Sequence, residues 1–398
     1  MTADLRLEWS HYIDLLAPMG ERAIASIENP SDPQLRQEAY RQLFSGMAIA
    51  YLGLFVGDPR HPEFWPLVNS AFNFGSPNPD GVYYLAPIEG SGIYRIAGFR
   101  GTAKIVDFQV GGGMFYPRGQ GGLPPTYANY DAEQLLIEPD GSFEVILSRE
   151  RPVGFGGNWW ALDPRSTCIM ARQFMYDPLV EVDGRFAIER IDTRAIRPRL
   201  NAAQIEENLK IIAEWAENWL VLTVNWINRY RETGLVNQVT VRGLQGVGGF
   251  AVEKQVYVEG QFDIAPDEAL IYETEVPKRC RYWSVSLNDM LWSVIDPINR
   301  QSSLNGHSAR LDSDGKFRAV ICAIDPQVAN WLDTAGYSKG TIFGRWQECN
   351  SPPTPRVTKV KIADLARVLP SDTPRVSADQ REASLRARRK GAHLRRRW

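Results

Sequence analysis

The spacing of apolar residues changes period repeatedly along this chain. In "SDPQLRQEAYRQLFSGMAIAYLGLFVG", Leu35, Ala39, Leu43, Met47, Ala50 and Leu54 recur at helical spacing. Ser31 or Asp32 can cap that helix, Pro33 suits its first turn, and Gly57 closes the run. Residues 1–60 are therefore read as a helical segment. From Tyr83 the period falls to two. "GIYRIAGFRGTAKIVDFQV" reads as a strand, a Gly-containing turn and a strand. Asp-Gly pairs at Asp80, Asp140, Asp183 and Asp314 stand near alternating segments. Such pairs favour tight hairpin turns, because glycine accepts a positive φ. Residues 61–200 are read as an antiparallel β domain.

The period returns to 3.6 in "NAAQIEENLKIIAEWAENWLVLTVNWINRYRETG". Ile205, Leu209, Ile212, Ala216, Trp219, Thr223, Trp226 and Tyr230 form a stripe beside Glu206, Glu207, Lys210, Glu214 and Glu217. This predicts a helix over 201–234 that ends at Gly234, packs on a sheet and links two halves. Alternation resumes after Gly249 and runs to about Trp346, so 245–350 is read as a second β unit. "SPPTPRV" marks the end of the compact body, and 371–398 is read as a basic, disordered tail. The expected class is α+β: mainly antiparallel β, with an N-terminal helical segment and one long linking helix.

Composition narrows this picture. A chain of 398 residues is long for a single core, so two domains are the default. Apolar residues at 44% and charged residues at 23% suit a soluble globular protein. The apolar stretch "MAIAYLGLFV" is too short to span a bilayer, and "MTADLRLEWS" has no signal-peptide pattern. Cys168, Cys280, Cys322 and Cys349 form no C-x-x-C pair; three lie in apolar runs and read as buried thiols of a reduced cytoplasm. The net charge of −2 hides an asymmetry: Arg375 to Trp398 holds nine Lys or Arg and two acids, which leaves −9 on the rest. Such a tail could meet RNA, an acidic membrane surface or the protein's own acidic body. Nothing else in the sequence supports nucleic-acid binding, so it is read as a solvated terminus, dispensable for folding.

Several segments hold candidate chemistry. In "CRYWSVSL", Arg281, Trp283, Val285 and Leu287 share one strand face, and Tyr282, Ser284 and Ser286 take the other. Arg172 likewise shares a face with Met170 and Phe174, and Arg345 with Phe343. An arginine on an apolar face is costly unless its head reaches solvent or meets a carboxylate or ligand. Asp296, Asp325 and Asp333 are the expected partners, with Asp325 or Asp333 expected to reach Arg281 or Arg345. "DPQVANWLDTAG" follows an apolar strand. There Asp325 can cap a turn and Trp331 can plug a core, or Asp325 and Asp333 can serve as acid and base with Trp331 as a wall. Asn330, Trp331 and Asp333 are expected in a short helical or turn segment.

"NRQSSLNGH" offers Ser302, Ser303, Asn305 and His307 to a ligand. A Ser303–His307–Asp325 nucleophile set lacks the surrounding G-x-S-x-G. The histidines give no H-x-x-x-H, and "LDSDGKF" lacks the acids of a calcium loop, so neither metal nor cofactor is expected. "VGGGMFYPRGQGG" reads as a loop whose Met114, Phe115 and Tyr116 could cover an apolar ligand. "GGNWW" offers Trp159 and Trp160 as walls, or as core.

At "RYWSVSLNDMLWSVIDPINRQSSLNGHSARLDSDGKFRAVICAIDPQVANWLDTAGYSKGTIFGRW" the chain resembles the bacterial family of unknown function number 1214. The matching features are Arg281-Tyr282-Trp283, Asn299-Arg300, Ser303-Leu304-Asn305-Gly306, Asp314-Gly315, Asp325-Pro326 and Asn330 to Thr334. "NPDGVYYLAPIEGSGIYRIAGFRG" and "GNWWALDP" look like its longer members, so the resemblance covers roughly 30–350. It implies a two-part protein with a jelly-roll-like C-terminal sandwich, and brings no activity with it.

Two functional classes follow. One is an enzyme that acts on an apolar or amphipathic small molecule (a lipid, steroid, terpenoid or polyketide-like compound) by metal-free acid–base chemistry, as a lyase, isomerase or hydrolase. Its pocket would lie between the halves, with Asp325, Asp333 and Arg281 as catalytic groups. Tyr83, Tyr84, Trp159, Trp160, Trp283, Asn305 and Trp331 would bind substrate. The other is a non-catalytic lipid- or glycan-binding protein. Homo-oligomerisation stays open.

Overall fold

A computed structural model describes residues 8–113, 125–243 and 255–395. Local signals set the helices. Asp32 caps α2 (Pro33–Tyr51) through the amides of Gln34 and Leu35 at 2.9 and 3.1 Å. A capping box of Asn201 and Gln204 starts α3 (Ala202–Glu232). With α1 (Trp9–Ser26) these helices share a core of Met19, Ala23, Leu43, Ala213, Ala216 and Leu220. At Gly46 a Cβ would stand 3.1 Å from Ala216, so α2 and α3 approach closely there. The buried face of α3 is Asn208, Ile211, Ile212, Trp215, Ala216, Leu220, Val224, Ile227 and Tyr230. It is broader than the expected stripe because α1, α2 and the first sheet all pack on the helix, whereas Ile205, near its start, is exposed.

Among the described residues, nine strands precede α3: β1 (Trp65–Pro66), β2 (Gly81–Pro87), β3 (Tyr94–Phe99), β4 (Ile105–Gly111), β5 (Thr126–Asp131), β6 (Ser142–Ser148), β7 (Asn158–Ala161), β8 (Cys168–Phe174) and β9 (Arg185–Arg190). They form sheets of order β1-β2-β8-β4-β5 and β7-β6-β3-β9. Val82, Ile96, Val106, Phe108, Val145, Leu147, Trp160, Ile169 and Ala171 fill the space between them. Nine more follow: β10 (Gln238–Gly243), β11 (Gln255–Asp263), β12 (Glu268–Glu275), β13 (Tyr282–Asn288), β14 (Ser303–Asn305), β15 (Lys316–Cys322), β16 (Trp331–Asp333), β17 (Lys339–Gln347) and β18 (Arg356–Lys361). Their sheets run β10-β11-β17-β13-β14 and β16-β15-β12-β18. Trp283, Val285, Leu287, Phe317, Ile321, Ile342 and Trp346 lie between these. The pairing is antiparallel except at β6·β7 and β15·β16. The chain is thus an α+β protein of two sandwich-like β units joined by one long helix.

Several expectations are corrected. Asp140-Gly141 and Asp314-Gly315 sit in turns with positive φ at glycine. Asp80-Gly81 closes a turn from Asn78, whose carbonyl accepts from Gly81 N–H at 2.8 Å, but that turn leads into β2 rather than joining a hairpin, and a Cβ on Gly81 would meet the Tyr83 and Phe174 rings at 2.8 and 2.9 Å. Residues 331–333 form a parallel strand rather than a helical turn, because Asn330 spends its side chain on the backbones of Arg310 and Arg318. Cys280 and Cys349 face each other beyond the β13·β17 ladder and form a disulfide, so only Cys168 and Cys322 are buried thiols. Among the described residues no helix is long and apolar enough to cross a membrane. The segment with Met114, Phe115 and Tyr116 lies outside the described residues.

The tail differs most from expectation. A short helix α4 (Leu365–Val368) is followed by α5 (Ala378–Leu394), which opens on a Ser377–Gln380 capping box. Arginines dock it. Arg381 is only 6% exposed; it pairs with Asp325 at 3.0 Å and donates to Gln301 Oε1 and the Val328 carbonyl. Arg388 donates to Ser303 Oγ and O, and Arg395 holds Asp183 through two nitrogens. The sequence shows no apolar stripe here because carbonyls and carboxylates of the body replace one. Removing one member of a buried charged set costs about 3–5 kcal/mol. Arg381→Met, and truncation after Pro374, should each lower the melting temperature by about 5 °C or more, measured by calorimetry. Parent-like melting of both would return the tail to a dispensable terminus.

Candidate active site at the junction of the two sandwiches

The site starts with five residues, Ser76 to Asp80, that lead into β2. Asn78 holds this segment in shape: its backbone N–H donates to Tyr83 Oη at 2.9 Å and its Nδ2 to Tyr282 Oη at 2.8 Å. Tyr282 begins β13 in the other half. Its ring lies between those of Phe174 and Tyr176, with centroids 5.5 and 5.2 Å away. That sandwich fixes its hydroxyl, which donates to Asp80 Oδ2 at 2.6 Å.

Asp80 lines a cavity of about 330 Å³ between the two halves. Val82, Met175, Pro178, Ile298 and Ala387 supply apolar wall; Asn305, His307, Arg388 and Arg395 supply polar wall. The outer side is α5. Burial raises the Asp80 carboxyl above its ordinary range, against the opposing pull of Tyr282, Asn305, Arg388 and Arg395. Burial also raises the Tyr282 hydroxyl well above its usual value, and pushes that of Tyr176 up to about 12. The result is a carboxyl poised to exchange a proton, next to a tyrosine that stays protonated. Asp80 can therefore give or take a proton from a molecule in the cavity, with Tyr282 holding the charged form.

Of the residues expected from sequence, Asn305 lines this cavity, yet its side chain also folds its own turn through His307, Ser308 and the Tyr176 carbonyl. His307 lines it too, with Nε2 3.6 Å from Asp177. The others are elsewhere. Asp325 pairs with Arg381, and Asp333 with Arg300 at 2.9 Å. Arg281 pairs with Asp131 and with Glu348, the latter at 3.0 Å, so neither Asp325 nor Asp333 meets it. Burial would raise the Asp131 carboxyl, but Arg281 outweighs it and holds it low. Arg345 donates to Ser76, and Arg172 pairs with Asp107 at 2.8 Å. Arg345 is thus met from across the junction, Arg172 from the neighbouring strand of its own sheet, and Arg281 from both halves.

Trp160 stacks on Tyr130 in the first core, and Trp159 Nε1 donates to Ser148 Oγ. Trp283 stacks on Trp346 in the second core, and Trp331 Nε1 donates to the Cys322 carbonyl. Tyr84 is buried in the first core. Tyr83 alone of the expected aromatics lies at the junction, beside Phe174. Ser303 is engaged by Arg388 and Asp325 by Arg381, so no Ser303–His307–Asp325 set forms. Among the described residues no group of three or more His, Cys, Asp or Glu is placed to hold a metal.

Residues 261–345 match the family described as "Protein of unknown function (DUF1214)". An uncharacterised Burkholderia cenocepacia protein of known crystal structure is 32% identical, with a TM-score of 0.82 over 90% of this chain and 97% of that one. The chain belongs to the DUF1214 family. A Vibrio parahaemolyticus protein covers 88% of this chain and 100% of its own at 10% identity and a TM-score of 0.48. No curated protein matches. The DUF1214 match takes in Tyr282, Asn305 and Arg345, whereas Asp80 comes from the half before it.

Sequence reasoning passed over Asp80 and Tyr282. The available signals were "NPDG", read as a turn, and the polar face of "CRYWSVSL", set aside in favour of its apolar one.

A second raised carboxyl lies on the segment after β13. Asp289 is 3% exposed, and burial pushes its pKa up to about 6, with backbone amides of Ser293 and Leu291 opposing. An unfolded aspartate titrates near 4. Between about pH 4 and 6 the folded state therefore holds a proton that the unfolded chain has lost, so stability falls as pH rises through that window. Asn can accept the same two amide bonds. Asp289→Asn should raise stability at pH 7.5 by up to about 3 kcal/mol and flatten the pH 4–6 slope in urea titrations. An unchanged slope would show that Asp289 titrates normally.

Proposed function

We propose that this protein binds a small amphipathic molecule in the Asp80 cavity and moves a proton on it, with Asp80 as general acid or base. The observation behind this reading is the Asp80–Tyr282 pair: a carboxyl with raised pKa, on a cavity wall, aligned by a protonated tyrosine that is itself locked between two rings. The apolar wall suits a lipid, steroid, terpenoid or polyketide-like body. Asn305, Arg388 and Arg395 suit a polar or anionic end. The reaction class is a metal-free lyase, isomerase or hydrolase step. A second reading, a non-catalytic binding protein, is favoured by α5, which walls the cavity on its outer side. The cytoplasmic reading leaned on reduced thiols, and with Cys280 paired to Cys349 the thiols no longer support it.

The test is a thermal-shift and native mass-spectrometry screen of such compounds, followed by product analysis. Asp80→Asn should keep binding and lose turnover by about 10²-fold or more. Tyr282→Phe removes a bond that favours the carboxylate, so the acid limb of kcat/KM should move to higher pH. Binding without turnover in the parent supports the binder. A hit whose binding ignores substitutions of Asn305 and Arg388 would sink both readings.

A further inference from the structure

A second cleft, of about 370 Å³, opens beside the Asp80 cavity. Its floor is Phe64, Tyr84 and Phe186, at the edge of the first core. The ring of Phe186 stands 5.8 Å from that of Phe64 and 5.0 Å from that of Phe108, so the core itself comes to the surface here. The loop from Pro178 to Gly184, between β8 and β9, and Leu394 of α5 supply the rest of the apolar lining. Leu179, Val180, Val182 and Leu394 are between 45% and 75% exposed. Single apolar side chains at a surface need no account, but four around one cleft mark a place for an apolar group to cover.

The loop does not expose these side chains through slackness. The Glu181 carboxylate accepts from the N–H groups of Tyr176 and Asp177 at 2.7 and 2.8 Å, and Asp177 Oδ1 accepts from Leu179 N–H at 2.9 Å. Val182 N–H donates to Thr102 Oγ1, and the Val182 carbonyl accepts from Thr102 N–H, both at 2.8 Å. The Gln173 amide holds Gly184 at its N–H and its carbonyl, and Arg395 holds Asp183. The polar groups of the loop are spent on its own shape, and its apolar tips are held outward, ready for contact. Pro178, Leu179 and Arg395 line both the cleft and the Asp80 cavity, so they form the ridge between the two. Arg395 is fixed on that ridge by Asp183 and by the carbonyls of Asp80 and Gln173.

We infer that one ligand spans both spaces, with its polar end in the Asp80 cavity and a flexible apolar chain that crosses Leu179 and Arg395 into the cleft. This rests on the reading of the Asp80 cavity as a site for an amphipathic molecule, and it narrows that molecule to one with a fatty-acyl or linear isoprenoid chain. A rigid fused-ring body does not bend over a ridge, whereas a chain with rotatable bonds follows it. The two acids of the cleft are engaged within the loop, Asp183 by Arg395 and Glu181 by backbone amides, so an uncharged chain suits the cleft better than a second polar group.

The full-length protein should be titrated calorimetrically with straight-chain alkanoates of six, nine and twelve carbons. Each buried methylene tightens binding on the order of fourfold, so the twelve-carbon acid should bind at least tenfold tighter than the six-carbon one. Val180→Ser with Val182→Ser, both at exposed positions outside the Asp80 cavity, should remove most of that gain and leave six-carbon binding unchanged. Arg388→Gln should weaken all three acids alike. In a crystal soaked with 12-bromododecanoate, the bromine should lie beside Phe64 and Phe186. The inference is overturned if no alkanoate binds, if affinity does not rise with chain length, if the double variant changes nothing, or if the bromine stays in the Asp80 cavity. Should chain length add nothing while six-carbon binding still needs Arg388, the inference fails and the acid–base reading of the Asp80 cavity stands. Should twelve-carbon binding ignore Arg388, the cleft acts alone, and the inference fails together with the reading it rests on.

Discussion

Both sandwiches bury a polar sheet face against each other, and the rest of the molecule depends on that constraint. On β13 the positions that alternate with Trp283, Val285 and Leu287 are Tyr282, Ser284, Ser286 and Asn288, and all four are fully buried. On β11 and β17 the matching positions include Glu259, Gln261, Thr341 and Arg345, buried as well. A buried polar group left unpaired costs about 1–3 kcal/mol. Each half therefore has to supply partners for the other. Asn78 reaches Tyr282, Ser76 reaches Arg345, Asp131 reaches Arg281, and Gln261 reaches the Ile227 carbonyl on α3. The two β units share one polar seam, and the Asp80 cavity lies along it.

The seam also explains what could be read from the sequence. Period alone gave the helix over Ala202–Glu232 and the antiparallel strands on either side, because apolar spacing records which face of an element meets a core. It cannot say what lies against the other face. Tyr282, Ser284 and Ser286 look solvent-facing by alternation, yet they meet a second sheet. Arg172 and Arg345 were recognisable as arginines in need of compensation. Their partners, Asp107 and the Ser76 carbonyl, were not, because 65 and 269 residues separate the members of each pair. Long-range pairing leaves no trace in local spacing. Asp80 had a local trace, the Asp-Gly pair, but a turn signal and a site carboxylate are the same two letters.

The tryptophans teach the converse. A Trp-rich stretch suggests a ligand wall, but Trp160, Trp283 and Trp346 are core residues whose size fills the sandwiches, and Trp331 is buried with Leu365 and Leu369 on the outer face of the second unit. The aromatic rings at the seam are mostly smaller: Phe174, Tyr176, Tyr282, Tyr83 and Phe343. Tyrosine suits that place, since its ring packs against the neighbouring sheet while its hydroxyl pairs within the seam. Tyr83 and Tyr282 do this on either side of Asn78.

The last element to close the seam is the one that looked least structured. α5 has almost no apolar face; its arginines bind backbone oxygens at Val328 and Ser303 and the Asp325 carboxylate, and Arg395 at its C-cap binds the Asp80 carbonyl and the Asp183 carboxylate. Held this way, α5 contributes no strand to either sandwich and no residue to their cores. Its departure would unpair Arg381, Arg388 and Arg395 and uncover Asp80, while every ladder of β pairing stayed whole. The helical wall of the Asp80 cavity is therefore held by arginine contacts rather than by the packing of the two β units.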